Sequence, residues 1–153
     1  MEPIISFRDF SFQYRAQKEP TVRHINLDIM PGERVLIAGP SGSGKSTLGN
    51  CINGLIPFSY PGEVSGSLVV DGVNAPQSGI FELSAHVGTV LQDPDGQFIG
   101  LTVAEDIAFA LENSCTPQKE MHEITRRAAE LVHIEDHLLS LIHISEPTRR
   151  RGI

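Results

Sequence analysis

The chain has 153 residues, a formal net charge of −7 and a hydrophobic content of 40%. This length suffices for one hydrophobic core. The acidic balance argues against nucleic acid as a partner, because its phosphates require clustered Lys and Arg. No apolar run reaches the roughly 18 residues of a membrane span, and the N-terminus lacks the pattern of a secretory signal. We therefore expect one acidic, cytoplasmic domain, in which Cys51 and Cys115 are reduced thiols.

Five segments predict strands. Ile4–Tyr14 and Val22–Met30 alternate apolar and polar residues, which is typical of half-buried strands. Arg34–Ala38 and Val87–Leu91 are short apolar runs, and such runs predict strands that are buried on both faces of a parallel sheet. Ser67–Asp71 predicts a further strand.

The helices are predicted from apolar spacing and capping residues. Leu48, Cys51, Ile52 and Leu55 recur at helical spacing and are followed by the helix breakers Gly54 and Pro57. Strands that alternate with helices in this way indicate an α/β domain.

Two more helices are predicted after residue 100. Thr102 and Glu105 have the spacing of a capping box, at the start of a helix that runs to about Glu112. Thr116-Pro117 predicts the cap and first residue of the next helix. The apolar stripe of this last helix consists of Met121, Ile124, Ala128, Leu131 and Val132.

A glycine-rich motif lies between the predicted strand Arg34–Ala38 and the helix that follows it. It reads GPSGSGKST and satisfies the pattern G-x-x-x-x-G-K-[ST] of a phosphate-binding loop. Glycines let the backbone curl until successive amides point at phosphate oxygens, and the N-terminus of the helix adds a partial positive charge. The candidate nucleotide-binding residues are Gly39, Pro40, Ser41, Gly42, Ser43, Gly44, Lys45, Ser46 and Thr47.

The motif also predicts individual roles. Lys45 neutralises the β- and γ-phosphates of a nucleotide, and the Ser46 hydroxyl is a ligand for Mg²⁺. The motif alone fits kinases, GTPases and motor ATPases equally. A GTPase would need the guanine-reading pattern N-K-x-D, which does not occur in this sequence.

The sequence around the loop resembles the ATPase cassette of ABC transporters, from Ile4 to about Leu138. The stretch FSFQYRAQKEPTVRHINLDIMPGERVLIAGPSGSGKST is similar to the opening of that cassette. The resemblance implies that Tyr14 stacks on adenine. The segment HVGTVLQDPDGQF looks like the glutamine loop of the family. Gln92 would then reach Mg²⁺ and the attacking water, act with Lys45 in catalysis, and contact the membrane partner.

One stretch narrows the resemblance to a branch of the family. DPDGQFIGLTVAEDIAFALEN is similar to the energy-coupling-factor branch, whose members import vitamins, vitamin precursors or metal ions such as cobalt. The resemblance implies a P-loop α/β fold with an antiparallel β subdomain and the start of a helical subdomain. It implies ATP and Mg²⁺ as cofactors, and a location on the inner face of the cell membrane. The implied partners are a second cassette (a separate subunit or the same chain), a transmembrane coupling protein and a substrate-binding membrane protein.

The resemblance stops near Leu138. The LSGGQ signature, the catalytic carboxylates and the switch histidine of a cassette do not occur in this sequence, and His133, His137 and His143 are not at the switch position. LSLIHISEPTR, Leu139–Arg149, matches a translated transposase-type sequencing adapter. We therefore expect residues 1–138 to be the N-terminal part of one ABC ATPase domain, and residues 139–153 to be an artefact.

Three alternatives stay open from sequence. The tail could be genuine, with Arg149–Arg151 touching acidic lipid. The protein could be a soluble ABC ATPase that acts in translation or DNA repair. The chain as it stands could be an inactive fragment, with poor solubility and weak nucleotide affinity. In this last case the apolar surface beside Arg34–Ala38 would be left open, because the strand that carries the catalytic carboxylates is missing.

Overall fold

The computed structural model describes residues 2–93 and 95–142. They fall into two compact units. The first, here called the sheet unit, is Met1–Thr89, and the second, the helical unit, is Val90–Ile153. Pro94, His143 and the rest of the predicted tail, residues 144–153, lie outside the described residues.

The sheet unit is built on a four-stranded antiparallel sheet with the order β2-β1-β3-β4. The strands are β1 (Ile5–Tyr14), β2 (Val22–Ile29), β3 (Gly62–Val70) and β4 (Val73–Asn74). The alternation in sequence thus gave the first two strands within one residue at each end. β3 begins five residues earlier than predicted, because its Gly- and Ser-rich start pairs with β1 as far as Tyr14 opposite Gly62.

The aromatic core depends on an irregularity in β1. Strict alternation would place Phe7 and Phe10 on opposite faces of the sheet, yet both are fully buried, as is Phe12. The pairing of β1 shifts register in this stretch against both of its neighbours, β2 and β3, and Asp9 there has a positive φ of 47°. The extra residue turns Phe10 inward, which is what a β-bulge does. The rings of Phe7 and Phe10 meet edge to face, with centroids 5.3 Å apart.

The bulge has specific partners on the neighbouring strands. The Asp9 amide donates to a side chain on β2, Asn26 Oδ1, at 2.9 Å. On the other side, a Cβ on Gly66 would lie 2.3 Å from the Asp9 carbonyl oxygen. Gly66 also has a positive φ of 77°, so the bulge and this glycine require each other.

The helices of the sheet unit pack against this core. They are α1 (Lys45–Ile52), α2 (Leu55–Phe58) and α3 (Ile80–Ser84). Leu48 and Cys51 of α1 and Leu83 of α3 are buried in the same cluster as the three phenylalanines. The predicted stripe of the helix after the loop is thereby confirmed for Leu48 and Cys51.

Two predicted strands are wrong in this structure. Arg34–Ala38 and Val87–Leu91 form no strand, and Val35, Leu36, Ile37 and Leu91 are exposed. A strand of a parallel sheet needs a hydrogen-bonding partner beside it. The described residues supply no such partner to either segment, so their apolar side chains face solvent.

The helical unit contains α4 (Val103–Asn113) and α5 (Gln118–Leu131), which pack together, and short 3₁₀ turns at Asp95–Gln97 and Glu135–His137. The capping box of α4 is confirmed with both bonds present. The predicted cap of α5 is off by one position: Pro117 occupies the N-cap, and Thr116 does not cap the helix.

The predicted apolar face of α5 is confirmed only in part, because Met121 and Ala128 are half-buried. Ile124, Leu131 and Val132 are exposed, whereas Thr125 and Ala129 are buried, one position further along the helix. Within the described residues, no helix has both the length and the apolar character of a membrane span.

Candidate nucleotide-binding site

The glycine-rich loop is closed on itself by the side chain of Lys45. The Lys45 ammonium donates to the carbonyl oxygens of Gly39 at 2.9 Å and Pro40 at 2.7 Å, and it lies 3.4 Å from Ser43 Oγ. These bonds hold a positive charge inside the ring that the loop makes. An anion that entered the ring would offer the ammonium a charged acceptor in place of neutral carbonyl oxygens, and the attraction between opposite charges would favour that exchange.

Backbone conformation brings the loop to the N-terminus of α1. Gly44 is the N-cap residue, with φ 88° and ψ 7°, a left-handed conformation that strongly favours glycine. The first amides of a helix have no partner within it and carry its positive dipole end. The first turn of α1 contains no acidic residue, so this turn places no carboxylate against an anion at the helix end. Loop, helix end and ammonium together suit a phosphate group.

Contacts behind the loop fix its position. A Cβ on Gly44 would lie 3.0 Å from the Thr21 carbonyl oxygen and 3.1 Å from Val22 Cγ1, so the loop rests directly against the start of β2. Thr47 and Leu48, in the first turn of α1, are buried. Gly39, Pro40, Ser41, Gly42, Ser43 and Ser46 remain exposed, so the phosphate-facing side is open to solvent.

Tyr14 lies next to this loop, at the end of β1. Its hydroxyl is 3.1 Å from Thr47 Oγ1, and its half-buried ring meets the ring of Phe12 edge to face, with centroids 4.7 Å apart. The structure thus places Tyr14 beside the loop, and the stacking of its ring on adenine stays a prediction. The bond to Thr47 was not foreseen, because the motif assigns Thr47 to the ligand and gives no sign of a partner in β1.

Gln92 belongs to the helical unit, where it is exposed in a bend. Behind it, Gln97 Oε1 accepts a hydrogen bond from Leu91 N at 3.0 Å. Sequence reasoning missed Gln97. Ser46 and Gln92 belong to different units, and their joint role toward Mg²⁺ stays a prediction.

The segment after Gln97 is held by two carboxylates at the start of α4. Asp106 Oδ1 accepts from Ile99 N at 2.9 Å and Gly100 N at 3.2 Å. Glu105 Oε2 accepts from Leu101 N at 2.9 Å and Thr102 N at 3.1 Å. Four consecutive amides are thus satisfied. The capping-box pattern predicted only the Thr102–Glu105 pair. The acidic residue Asp106, in the first turn of the helix, was the sequence feature that could have indicated the bonds to Ile99 and Gly100.

These features are those of the P-loop class of nucleotide-binding proteins. The sequence profile described as "ABC transporter" matches residues 22–151, and the chain belongs to the ABC transporter family as an ATP-binding domain. ATP hydrolysis is the activity of that family's ATPases.

Known relatives agree with this assignment. The chain is 62% identical over 134 residues to a protein of Lactiplantibacillus plantarum, and 60% identical over 135 residues to one of Clostridium perfringens. Both carry the provisional name ABC transporter ATP-binding protein. Each alignment covers 88% of this chain, which spans about a quarter (24%) of either relative.

The chain is also similar to a solved structure, CbiO1 from Clostridium perfringens. The TM-score is 0.79 with 28% identity, over 94% of this chain and 55% of the other. CbiO1 is described as part of the ABC transporter complex cbiONQ. The fold is therefore that of an ABC ATPase with an antiparallel sheet and helices, as predicted.

Proposed function

We propose that this chain is the N-terminal part of the ATP-binding subunit of an energy-coupling-factor-type ABC importer. The observation that carries the proposal is the Lys45 ammonium inside the glycine loop at the N-terminus of α1. The similarity to CbiO1 supports the branch. The longer protein, here called the full-length parent, couples ATP binding and hydrolysis to uptake of a vitamin, a vitamin precursor or a metal ion.

The roles within the site follow from the chemistry of each group. The ring of Tyr14 stacks on adenine, and the amides and ammonium of Gly39–Thr47 hold the phosphates. The Ser46 hydroxyl and the Gln92 amide oxygen are ligands for Mg²⁺. Bound ATP would supply the phosphoanhydride bond that is hydrolysed, and closure of the cassette dimer would drive the membrane partner. Phosphoryl transfer depends mainly on positioning and electrostatics, which are what these residues provide.

The proposed partners follow from the branch. A second cassette completes each ATP site, and a transmembrane coupling protein with a substrate-binding membrane protein carries the cargo. The full-length parent then works on the inner face of the cell membrane. The exposure of Gln92 in a surface bend is compatible with contact to a membrane subunit.

Substitution of Lys45 tests the proposal in the full-length parent. Lys45→Ala removes the loop's ammonium, and we expect both ATP turnover and cargo uptake in membrane vesicles to fall about 100-fold or more. The matched control is Lys119→Ala, which removes a lysine from the helical unit and should leave both unchanged. Transport at the wild-type rate in the Lys45→Ala variant would refute the assignment.

Co-purification distinguishes the importer from a soluble ABC ATPase. We expect the affinity-tagged full-length parent to bring down integral membrane proteins in mild detergent. Recovery of the parent from the soluble fraction, with ribosomes or DNA-repair proteins instead, would favour the other class.

A further inference from the structure

We infer that Tyr14 has a second task besides stacking on the base: its hydroxyl is a positioning group that holds Thr47 and, through it, the phosphate loop. This inference rests on the proposed function, because it concerns the same nucleotide. The ring of Tyr14 then acts on the base, and its hydroxyl acts on the phosphate loop, so the two effects can be separated by mutation.

The bond between Tyr14 and Thr47 is sheltered from water. The two oxygens are 3.1 Å apart, Thr47 is only 6% exposed and Tyr14 is half-buried. A hydrogen bond in such surroundings competes little with water, and it leaves a buried group unsatisfied when one partner is removed. The hydroxyl of Thr47 is therefore oriented by Tyr14 before any ligand arrives.

The Tyr14 end of this bond is anchored to the sheet. Tyr14 pairs with Gly62 of β3, and its carbonyl oxygen accepts from Gln17 N at 3.0 Å. Its ring packs edge to face on Phe12, which is fully buried. The hydroxyl consequently projects from a rigid base.

The Thr47 end belongs to the first turn of α1, directly behind the loop. Residues Gly39–Thr47 touch the β1–β2 hairpin through two sets of contacts: this hydrogen bond, and the packing of Gly44 against Thr21 and Val22. We infer that the packing holds the start of the helix and that the hydrogen bond holds its first turn through Thr47. Loss of the bond frees the Thr47 side chain and loosens the first-turn amides.

A ligand without a base separates the two tasks of Tyr14. In the full-length parent we propose to measure affinities for Mg·ATP and for magnesium tripolyphosphate, which keeps the phosphates and lacks adenosine. We expect Tyr14→Phe to weaken both by the same factor, about 3- to 10-fold, the value of one hydrogen bond. Tyr14→Ala removes the ring as well, so it should weaken Mg·ATP further than tripolyphosphate.

Thr47→Val provides the second half of a double-mutant cycle. If Tyr14 acts through Thr47, Tyr14→Phe has no further effect on tripolyphosphate affinity in the Thr47→Val background. The matched control is Tyr60→Phe, which removes the only other tyrosine hydroxyl and should change neither affinity.

Either of two results would overturn the inference. One is that Tyr14→Phe binds tripolyphosphate as tightly as the wild type or more tightly, and the other is that Tyr14→Phe has its full effect in the Thr47→Val background. Failure of the proposed function looks different. If the parent bound no nucleotide, the wild type would show no Mg·ATP binding at all, and if it were a soluble ABC ATPase, these affinities would persist while the co-purification with membrane proteins failed.

Discussion

In the sheet unit Phe7, Phe10 and Phe12 are fully buried, whereas α4 in the helical unit buries no residue at all. The sheet unit is stabilised by apolar burial, and the start of the helical unit is stabilised by carboxylates that satisfy backbone amides. Burial of a large side chain contributes more than a single exposed hydrogen bond. We therefore expect the helical unit to open at a lower free energy than the sheet that carries the phosphate loop.

Removal of a core ring should have the largest effect. Phe12 is fully buried and supports Tyr14, so Phe12→Ala is expected to lower the opening free energy of β1 and β3 amides by about 3–5 kcal/mol. Hydrogen exchange followed by mass spectrometry measures this. The matched control is Phe81→Ala, because Phe81 is in the same unit and 83% exposed. Equal losses of protection in the two variants would contradict a core centred on Phe12.

Alkaline pH tests the core through Cys51. Burial raises the pKa of the Cys51 thiol to about 12, whereas an unfolded thiol has a pKa of about 8.5. The folded state keeps its proton while the unfolded state releases it. Stability is thus fully present below about pH 8.5 and is lost as pH rises toward 12, by at most about 1.4 kcal/mol per pH unit.

The measurement is the thermal midpoint at pH 8 and pH 10.5. We expect the wild type to lose more stability over this interval than Cys51→Ala, which has no thiol to titrate. The matched control is Cys115→Ala, since Cys115 is exposed. A wild type and a Cys51→Ala variant with parallel pH profiles would show that the Cys51 thiol is not shielded.

Removal of a capping carboxylate should have a smaller, local effect. Asp106→Asn weakens two hydrogen bonds to Ile99 and Gly100, and Glu105→Gln weakens two to Leu101 and Thr102. Each is expected to lower the opening free energy of these amides by about 1 kcal/mol. The sheet unit should keep its protection in both variants.

Glu112→Gln is the control for the loss of charge, because Glu112 is in the last turn of the same helix. Glu112 lies at the opposite end of the helix from the capping box, and loss of a negative charge at a helix C-terminus is neutral or slightly favourable. Equal effects of Glu105→Gln and Glu112→Gln would attribute the change to net charge instead of to the cap.

The sequence predicted best where local chemistry decides the structure. Alternation located β1 and β2, the glycine motif located the loop, and Thr102 with Glu105 located the start of α4. In each case neighbouring residues impose the backbone conformation. The position of the Lys45 ammonium inside the loop was also predictable, since the motif brings the residue to that point.

The sequence predicted least where distant segments decide. The Asp9 bulge needs Asn26 and Gly66 from two other strands, and neither is recognisable from β1 alone. The bond from Tyr14 to Thr47 joins residues that are 33 positions apart. Long-range pairing of this kind overrides local pattern in strands. In α5 the apolar spacing also failed to identify the buried residue, which is Ala129 and not Ile124.

The smallest effect on stability in this chain is expected at Leu36. The same substitution is most informative when the 153-residue chain is compared with the full-length parent. Leu36 lies in an apolar run that predicts a buried strand, yet its side chain is 90% exposed. Leu36→Ala should therefore change the opening free energy of the sheet-unit amides in the 153-residue chain by less than about 0.5 kcal/mol.

In the full-length parent we expect a neighbouring strand to cover this run. The same substitution should then lower stability there by about 2–5 kcal/mol, measured by thermal unfolding. Because the substitution is identical in both proteins, the difference reports only what covers Leu36. Equal small effects in both would mean that no strand pairs with Arg34–Ala38, and the expectation of a parallel sheet at this position would be wrong.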